Sequence, residues 1–285
     1  PAPIRQPWVA FYLVFFLGVL VALAVLGPRG QLYRLLLTVP AGGLALGFSA
    51  YLTRGEGSRP GPTPRPFVGL LLAVGLLLFL LLRPDGFLPL PPSKLRDGLV
   101  HLGMWLVVPV GALLLMRVPW GQLGTAQLLR VPGRFRSLLS LLVVWLTLPA
   151  IADPQTFRSL LEAPWWKVAL ALPIAYSGAL LGEALPEEFF FRQLLQPRLQ
   201  AYFRRPTPAI VLQALLYGLA HAGSLLSGGA PWLALGAAVL EGSVFGLLYG
   251  LLRDRTGSLA LPMLVHGWAA TWVFLPEVLR RLPLG

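Results

Sequence analysis

Apolar runs that approach the ~20 residues needed to cross a hydrocarbon core recur along nearly the whole chain, and few folds accommodate that pattern. They extend over Trp8 to Leu26, Leu32 to Leu52, Phe67 to Leu82, Leu99 to Met116, Leu138 to Ile151, Val168 into the Glu187 region, Pro208 to His221, Trp232 to Leu252 and Leu259 to Leu275. Inside lipid a backbone segment must satisfy its own hydrogen bonds, which a helix does. The expectation is an all-α, polytopic membrane protein with about eight or nine transmembrane helices, the catalytic ones in the C-terminal half. The first run is longer than a signal-peptide core and ends at Gly27-Pro28-Arg29 without a small-x-small cleavage site, so it reads as a retained span.

Composition agrees. The chain is 56% hydrophobic and only 12% charged, where a soluble domain carries about 25% charged residues. A net charge of +12 raises the question of nucleic acid, but the basic residues lie mostly in short connectors between apolar runs. That distribution is a membrane-topology signal, and it excludes a nucleic-acid partner. With nine spans, alternate connectors counted from the N-terminus hold 14 of the 23 Lys and Arg, which favours a cytoplasmic N-terminus. Pro and Gly punctuate the connectors, notably over 55–66, 84–92 and 227–231, and no internal repeat is evident. There is no cysteine, hence no disulfide, thiol nucleophile or thiolate metal site.

The acidic residues sort by depth. All four Asp (Asp85, Asp97, Asp153, Asp254) fall in expected connectors, whereas Glu183, Glu187, Glu188 and Glu241 fall in or beside apolar helices. An ionisable group inside a membrane costs roughly 2.5 to 3.5 kcal/mol on insertion scales and marks a functional site by default. His221 and His266 also sit in apolar stretches, while His101, near the start of its span, reads as an interfacial histidine. Glu187 lies 13 residues before Gln200, and His221 lies 13 after Pro208, across the Arg204-Arg205-Pro206 turn. At 1.5 Å per residue both are roughly 20 Å from that turn. His266 is eight residues past Ser258, or roughly 12 Å deep by the same rise. If both connectors face one side, a carboxylate and two imidazoles converge.

Glu188 and Arg192 are i and i+4 and can pair, which would neutralise one charge. Glu187 points about 100° away on an ideal helix and is left to act as a base. Pro186 just before it suggests a kink or a helix start. A buried carboxylate suits a general base, and a helix N-terminus at Pro186 would pull its acidity the other way. Structural readings stand beside these: Glu188 and Arg192 as an ion pair only, Glu183 and Glu241 as structural acids, with Glu183 also able to couple to Glu187 one turn later. Phe189 to Phe191 and the small residues around Gly218 and Gly246 read as helix packing. No His-Glu-x-x-His zinc helix, Gly-x-Ser-x-Gly elbow or intramembrane Asp pair is present, so glutamate with histidine remains.

These residues resemble the CPBP family, the CAAX-prenyl-protease and bacteriocin-processing (Abi) group of intramembrane endopeptidases. Its Glu-Glu-x-x-x-Arg motif matches Glu187, Glu188 and Arg192, and its Phe-x-x-x-His motif appears as Tyr217 and His221. Its His-x-x-x-Asx motif is met only at His266, because Ala270 occupies the Asx position. Arg253 to Leu259 and Pro262 resemble the family's lead-in to the last helix, so the resemblance covers roughly residues 165 to 275. It implies generic transmembrane helices over 1–137 and a catalytic membrane domain over 138–285. It also implies an integral protein of the bacterial inner (plasma) membrane and a membrane-associated peptide or protein substrate.

Carried over, the resemblance makes Glu187 the general base, His221 the group that orients or polarises water, and His266 an oxyanion donor, with Glu188, Arg192 and Tyr217 supporting them. No cofactor or metal is expected. Ala270 removes one expected donor, worth about 10² to 10³ in rate, and Gln213, Thr271, backbone or water are the candidates to replace it. Three other readings remain open. Two histidines and a glutamate can also form a zinc site with an open position, a non-catalytic immunity or scaffold protein could keep the same fold, and intramembrane carboxylates also serve transporters.

Overall fold

The computed structural model describes residues 29–52, 102–115, 136–222 and 231–283, with Leu17, Val21 and Leu99 as single positions. The expected spans Trp8 to Leu26 and Phe67 to Leu82 and the histidine His101 lie outside the described residues. Within them the chain is all-helical, with no strand. Helix α1 is Arg29–Leu52, and α2 passes from a π-helical turn, Leu102–Val107, into Val108–Leu115. Then come α3 (Arg136–Ala152), α4 (Pro154–Glu162), α5 (Trp165–Phe203), α6 (Pro206–Ala222), α7 (Pro231–Thr256) and α8 (Ala260–Arg281). Among the described residues α5 is the one helix long and apolar enough to cross a membrane by length and composition.

Three local devices set the path of the chain. Asp153 caps α4 by accepting from the Thr156 N–H at 2.8 Å, with Pro154 at the first helical position. Arg204, at φ 54°, ends α5 and turns the chain back into α6. Gly257, at φ 67°, ends α7, its N–H donating to the Arg253 carbonyl at 3.0 Å.

Close approach comes from missing side chains. A Cβ on Gly218 would lie 2.4 Å from the Val239 carbonyl oxygen, and one on Gly246 would lie 2.8 Å from the Ala214 Cα. So α6 and α7 touch nearly backbone to backbone at Gly242 and Gly246, as the small residues imply, while Gly250 makes room for the Gln213 and Ile210 side chains. The Gly246 and Gly250 carbonyls are also used by α5. Arg192 Nη2 donates to Gly246 O (3.4 Å), Gln196 Nε2 to Gly250 O (3.0 Å) and Gln200 Nε2 to Asp254 Oδ1 (2.9 Å). The constant offset of 54 residues means that α5 and α7 run parallel here in fixed register.

The N-terminal helices join the same core. Trp145 Nε1 on α3 donates to the Ala41 carbonyl on α1 at 3.0 Å. Trp105 on α2 packs against Phe190 and Phe191, with ring centroids 4.8 and 5.1 Å away. Trp268 ties α8 to α3 by donating to Val143 O and Thr147 Oγ1, both at 3.0 Å.

Candidate active site

Pro186 does not begin a helix. It sits in a single α-helical turn, Leu185–Glu188, between two π-helical segments, Leu180–Ala184 and Phe189–Leu195. Proline has no N–H to donate and its ring crowds the carbonyl four residues back, here that of Gly182. The wider turn before it lets α5 continue, so the expected pull of a helix N-terminus on Glu187 does not arise. Such π insertions are frequent at functional sites because they re-aim side chains. Here both glutamates face inward and are essentially inaccessible, Glu187 at 2% and Glu188 at 0%. They do not diverge as an ideal helix would have them.

Glu188 Oε1 is shared by an ion pair and a hydrogen bond. Arg192 Nη1 lies 3.0 Å away, and His266 Nδ1 donates to the same oxygen at 2.9 Å. Arg192 is wholly buried, with its guanidinium 4.4 Å above the Tyr217 ring centroid and 5.2 Å from that of Tyr249. Those two π faces supply the electrostatic contact that solvent gives an exposed arginine. Tyr249 also stacks on the His266 ring at 4.9 Å and 16°.

Gly267 brings α8 against α5 at this level: a Cβ there would lie 2.9 Å from Leu180 Cδ1. That closeness lets the neighbouring His266 reach Glu188.

On the other side of the pocket, His221 Nδ1 donates to the Tyr217 carbonyl at 2.9 Å. A carbonyl and a carboxylate can only accept, so both imidazoles carry their proton on Nδ1 and turn Nε2 inward. Both Nε2 atoms face one carboxylate oxygen. Glu187 Oε2 is 3.6 Å from His221 Nε2 and 3.8 Å from His266 Nε2. Separations just beyond a direct hydrogen bond suit a bridging water. The Tyr217 hydroxyl completes the ring, 3.3 Å from His266 Nε2. The pocket has a way in at His221, whose side chain is 39% exposed against 3% for Glu187.

Thus Glu187, Glu188, Arg192, Tyr217, His221 and His266 come together from three helices. The two connectors that position the histidines lie on one side, as the Gln200–Asp254 hydrogen bond requires. Glu183 and Glu241 are half-buried. Of the candidates to replace the Asx donor, Thr271 gives its hydroxyl proton to its own helix at Gly267 O, 2.6 Å. Gln213 lies against Gly250, one turn of α7 beyond the carbonyl that anchors Arg192. Ala270 itself packs among Ala171, Ala175, Ala179 and Phe274. Among the described residues no three His, Cys, Asp or Glu side chains converge as metal ligands.

Sequence reasoning missed Tyr249, which stacks on His266, and read Gly246, whose carbonyl accepts from Arg192, as helix packing alone. Their signal was the spacing of Gly242, Gly246 and Gly250, a stripe whose bared carbonyls can accept from a neighbouring helix.

Residues 164–272 match the Rce1-like family model, described as type II CAAX prenyl endopeptidase. That model is one of the CPBP/CAAX protease family, to which this part of the chain is similar. The Rce1-like segment begins just before α5, ends within α8 and contains all six site residues. It implies a CAAX-type intramembrane protease, hence an integral membrane protein and a peptide substrate. No curated protein and no solved structure matches the chain.

Proposed function

We propose that the chain is a polytopic endopeptidase of the bacterial inner membrane, N-terminus cytoplasmic, that hydrolyses a peptide bond near the membrane interface without a metal. The 138–285 portion carries the chemistry and the N-terminal helices complete the bundle. A lipid environment is supported by large apolar side chains left bare on several helices, among them Leu44, Val144, Leu148, Leu170, Ile174 and Val273, and by Trp165 and Trp166 opening α5.

One observation carries the catalytic reading: a buried carboxylate oxygen, Glu187 Oε2, faced by two imidazole Nε2 atoms at 3.6 and 3.8 Å. Water held there gives a proton to Glu187 as its oxygen attacks the scissile carbonyl carbon, with His221 fixing its orientation. The carbonyl π pair moves onto oxygen. On collapse the C–N bond breaks, and the leaving amine takes the proton from Glu187. His266 serves the oxyanion as an imidazolium, donating from Nε2 while Nδ1–H stays on Glu188. Two carboxylates, one guanidinium and one imidazolium sum to zero charge, the arrangement that burial favours.

The test uses the full chain in phosphatidylcholine liposomes and an internally quenched, farnesylated peptide with a CAAX ending. Glu187→Gln is expected to lower kcat by roughly 10² to 10⁴, the range of general-base catalysis, with helicity and melting temperature retained. Turnover unchanged in this variant removes the site.

Ala270 supports a second reading, a non-catalytic membrane protein that keeps the fold, because the family's Asx donor is replaced by a methyl group packed on alanines. Under that reading wild-type protein shows no turnover, and any phenotype it confers survives Glu187→Gln.

A further inference from the structure

Tyr217 touches both histidines and the buried arginine. Its carbonyl fixes the His221 tautomer, its ring lies under the Arg192 guanidinium, and its hydroxyl meets His266 Nε2. Packing alone would not call for a hydroxyl here. The ring is held edge-on by Phe191 at 5.1 Å and by Tyr249 at 6.4 Å, contacts that a phenylalanine would make equally well. Yet this buried side chain, 3% exposed, ends in an O–H at the edge of the acceptor-lined pocket.

We infer that the Tyr217 hydroxyl is the second oxyanion donor of the hydrolytic site, supplying what Ala270 cannot. The inference rests on the proposed hydrolase reading and deepens it. When His266 is neutral, its bare Nε2 accepts the Tyr217 proton. When His266 is an imidazolium, Nε2 becomes a donor and the phenolic O–H is released to turn into the pocket. Two donors 3.3 Å apart then converge on one position, the arrangement an oxyanion hole requires. As water attacks and the carbonyl π pair passes to oxygen, that oxygen accepts from Tyr217 O–H and His266 Nε2–H. Neither proton is transferred, and both bonds are released when the C–N bond breaks. The hydroxyl at 217 thus offers the site a donor that the methyl group at 270 does not.

The test pairs Tyr217→Phe with Glu187→Gln and reads two quantities. In the first, hydrolysis of the farnesylated quenched peptide by Tyr217→Phe is expected to fall about 10² to 10³ in kcat with KM little changed, as loss of one oxyanion donor gives. In the second, binding is measured for a phosphinate analogue of the same peptide, whose P–O⁻ occupies the oxyanion position, beside the uncleaved amide peptide. Tyr217→Phe is expected to weaken the phosphinate selectively and leave the amide affinity within about twofold, a split that damage to packing alone does not produce. If Glu187→Gln is inactive while Tyr217→Phe keeps full kcat and full phosphinate affinity, the Tyr217 assignment fails and the hydrolase stands. Equal weakening of both ligands also overturns it. Wild-type protein that neither cleaves the peptide nor binds the phosphinate overturns both readings together.

Discussion

Helix α5 packs in two different ways along its length. In its first half Ala171, Ala175 and Ala179, all fully buried, join Ala270, Phe274 and Leu275 of α8 in one apolar cluster. In its second half Arg192, Gln196 and Gln200 hydrogen-bond to Gly246, Gly250 and Asp254 of α7. Small apolar residues allow close packing, but dispersion between methyl groups is individually weak and undirected. Directional hydrogen bonds at a constant offset fix how far one helix can slide along another. Glu187 and Glu188 stand at the junction, in the α-helical turn between the two π segments. The apolar half sets how near α8 can come, and the polar half sets the depth at which Glu187 meets the histidines.

The sharpest way to break that division is to remove the first rung of the ladder. Arg192→Met leaves Glu188 with His266 as its remaining ionic partner, in a position with no solvent access. Breaking one side of a buried pair costs about 3 to 5 kcal/mol. The variant should therefore melt well below wild type or fail to accumulate in the membrane, as thermal denaturation in detergent will report. Stability close to wild type would mean that the cation supports reactivity and not the fold.

A smaller effect is expected one turn further on. Gln196 is neutral, and its side chain gives one hydrogen bond to a carbonyl on α7. Gln196→Leu keeps the volume and removes that bond, for about 1 kcal/mol. A loss as large as that for Arg192→Met would mean that register, and not charge, dominates the lower half.

Much of this arrangement was legible in the residues. Helix identity followed from apolar runs that must satisfy their own backbone, and α3, α6, α7 and α8 fall where those runs lie. Equal counts of 13 residues on either side of the Arg204 turn brought Glu187 and His221 to one depth, and they lie 3.6 Å apart.

Angles were less legible. A 100° step separates Glu187 from Glu188 only on a regular α-helix, and the π segments around Pro186 turn both inward. The link between Glu188 and His266 was hidden for a related reason. Arg192 at i+4 offered a sufficient local partner, whereas the histidine arrives from α8, 78 residues away. The relation proposed between Tyr217 and Ala270 is visible in sequence only as two separate departures from a motif. It takes the 3.3 Å contact to relate them.

The apolar half of α5 yields the smallest expected effect and a direct check on that relation. Ala270→Asn restores the family's residue at a position buried against an alanine stripe. Asparagine must find room beside Ala171, Ala175 and Ala179, and overpacking of a filled contact costs about 1 to 3 kcal/mol. If Tyr217 already serves the oxyanion, Ala270→Asn should lower the melting temperature modestly and leave kcat within about threefold of wild type, far less than a missing donor would change it. A gain of a hundredfold or more would mean that the wild-type hole lacks a donor, and that the methyl at 270, not the packing around it, limits the enzyme.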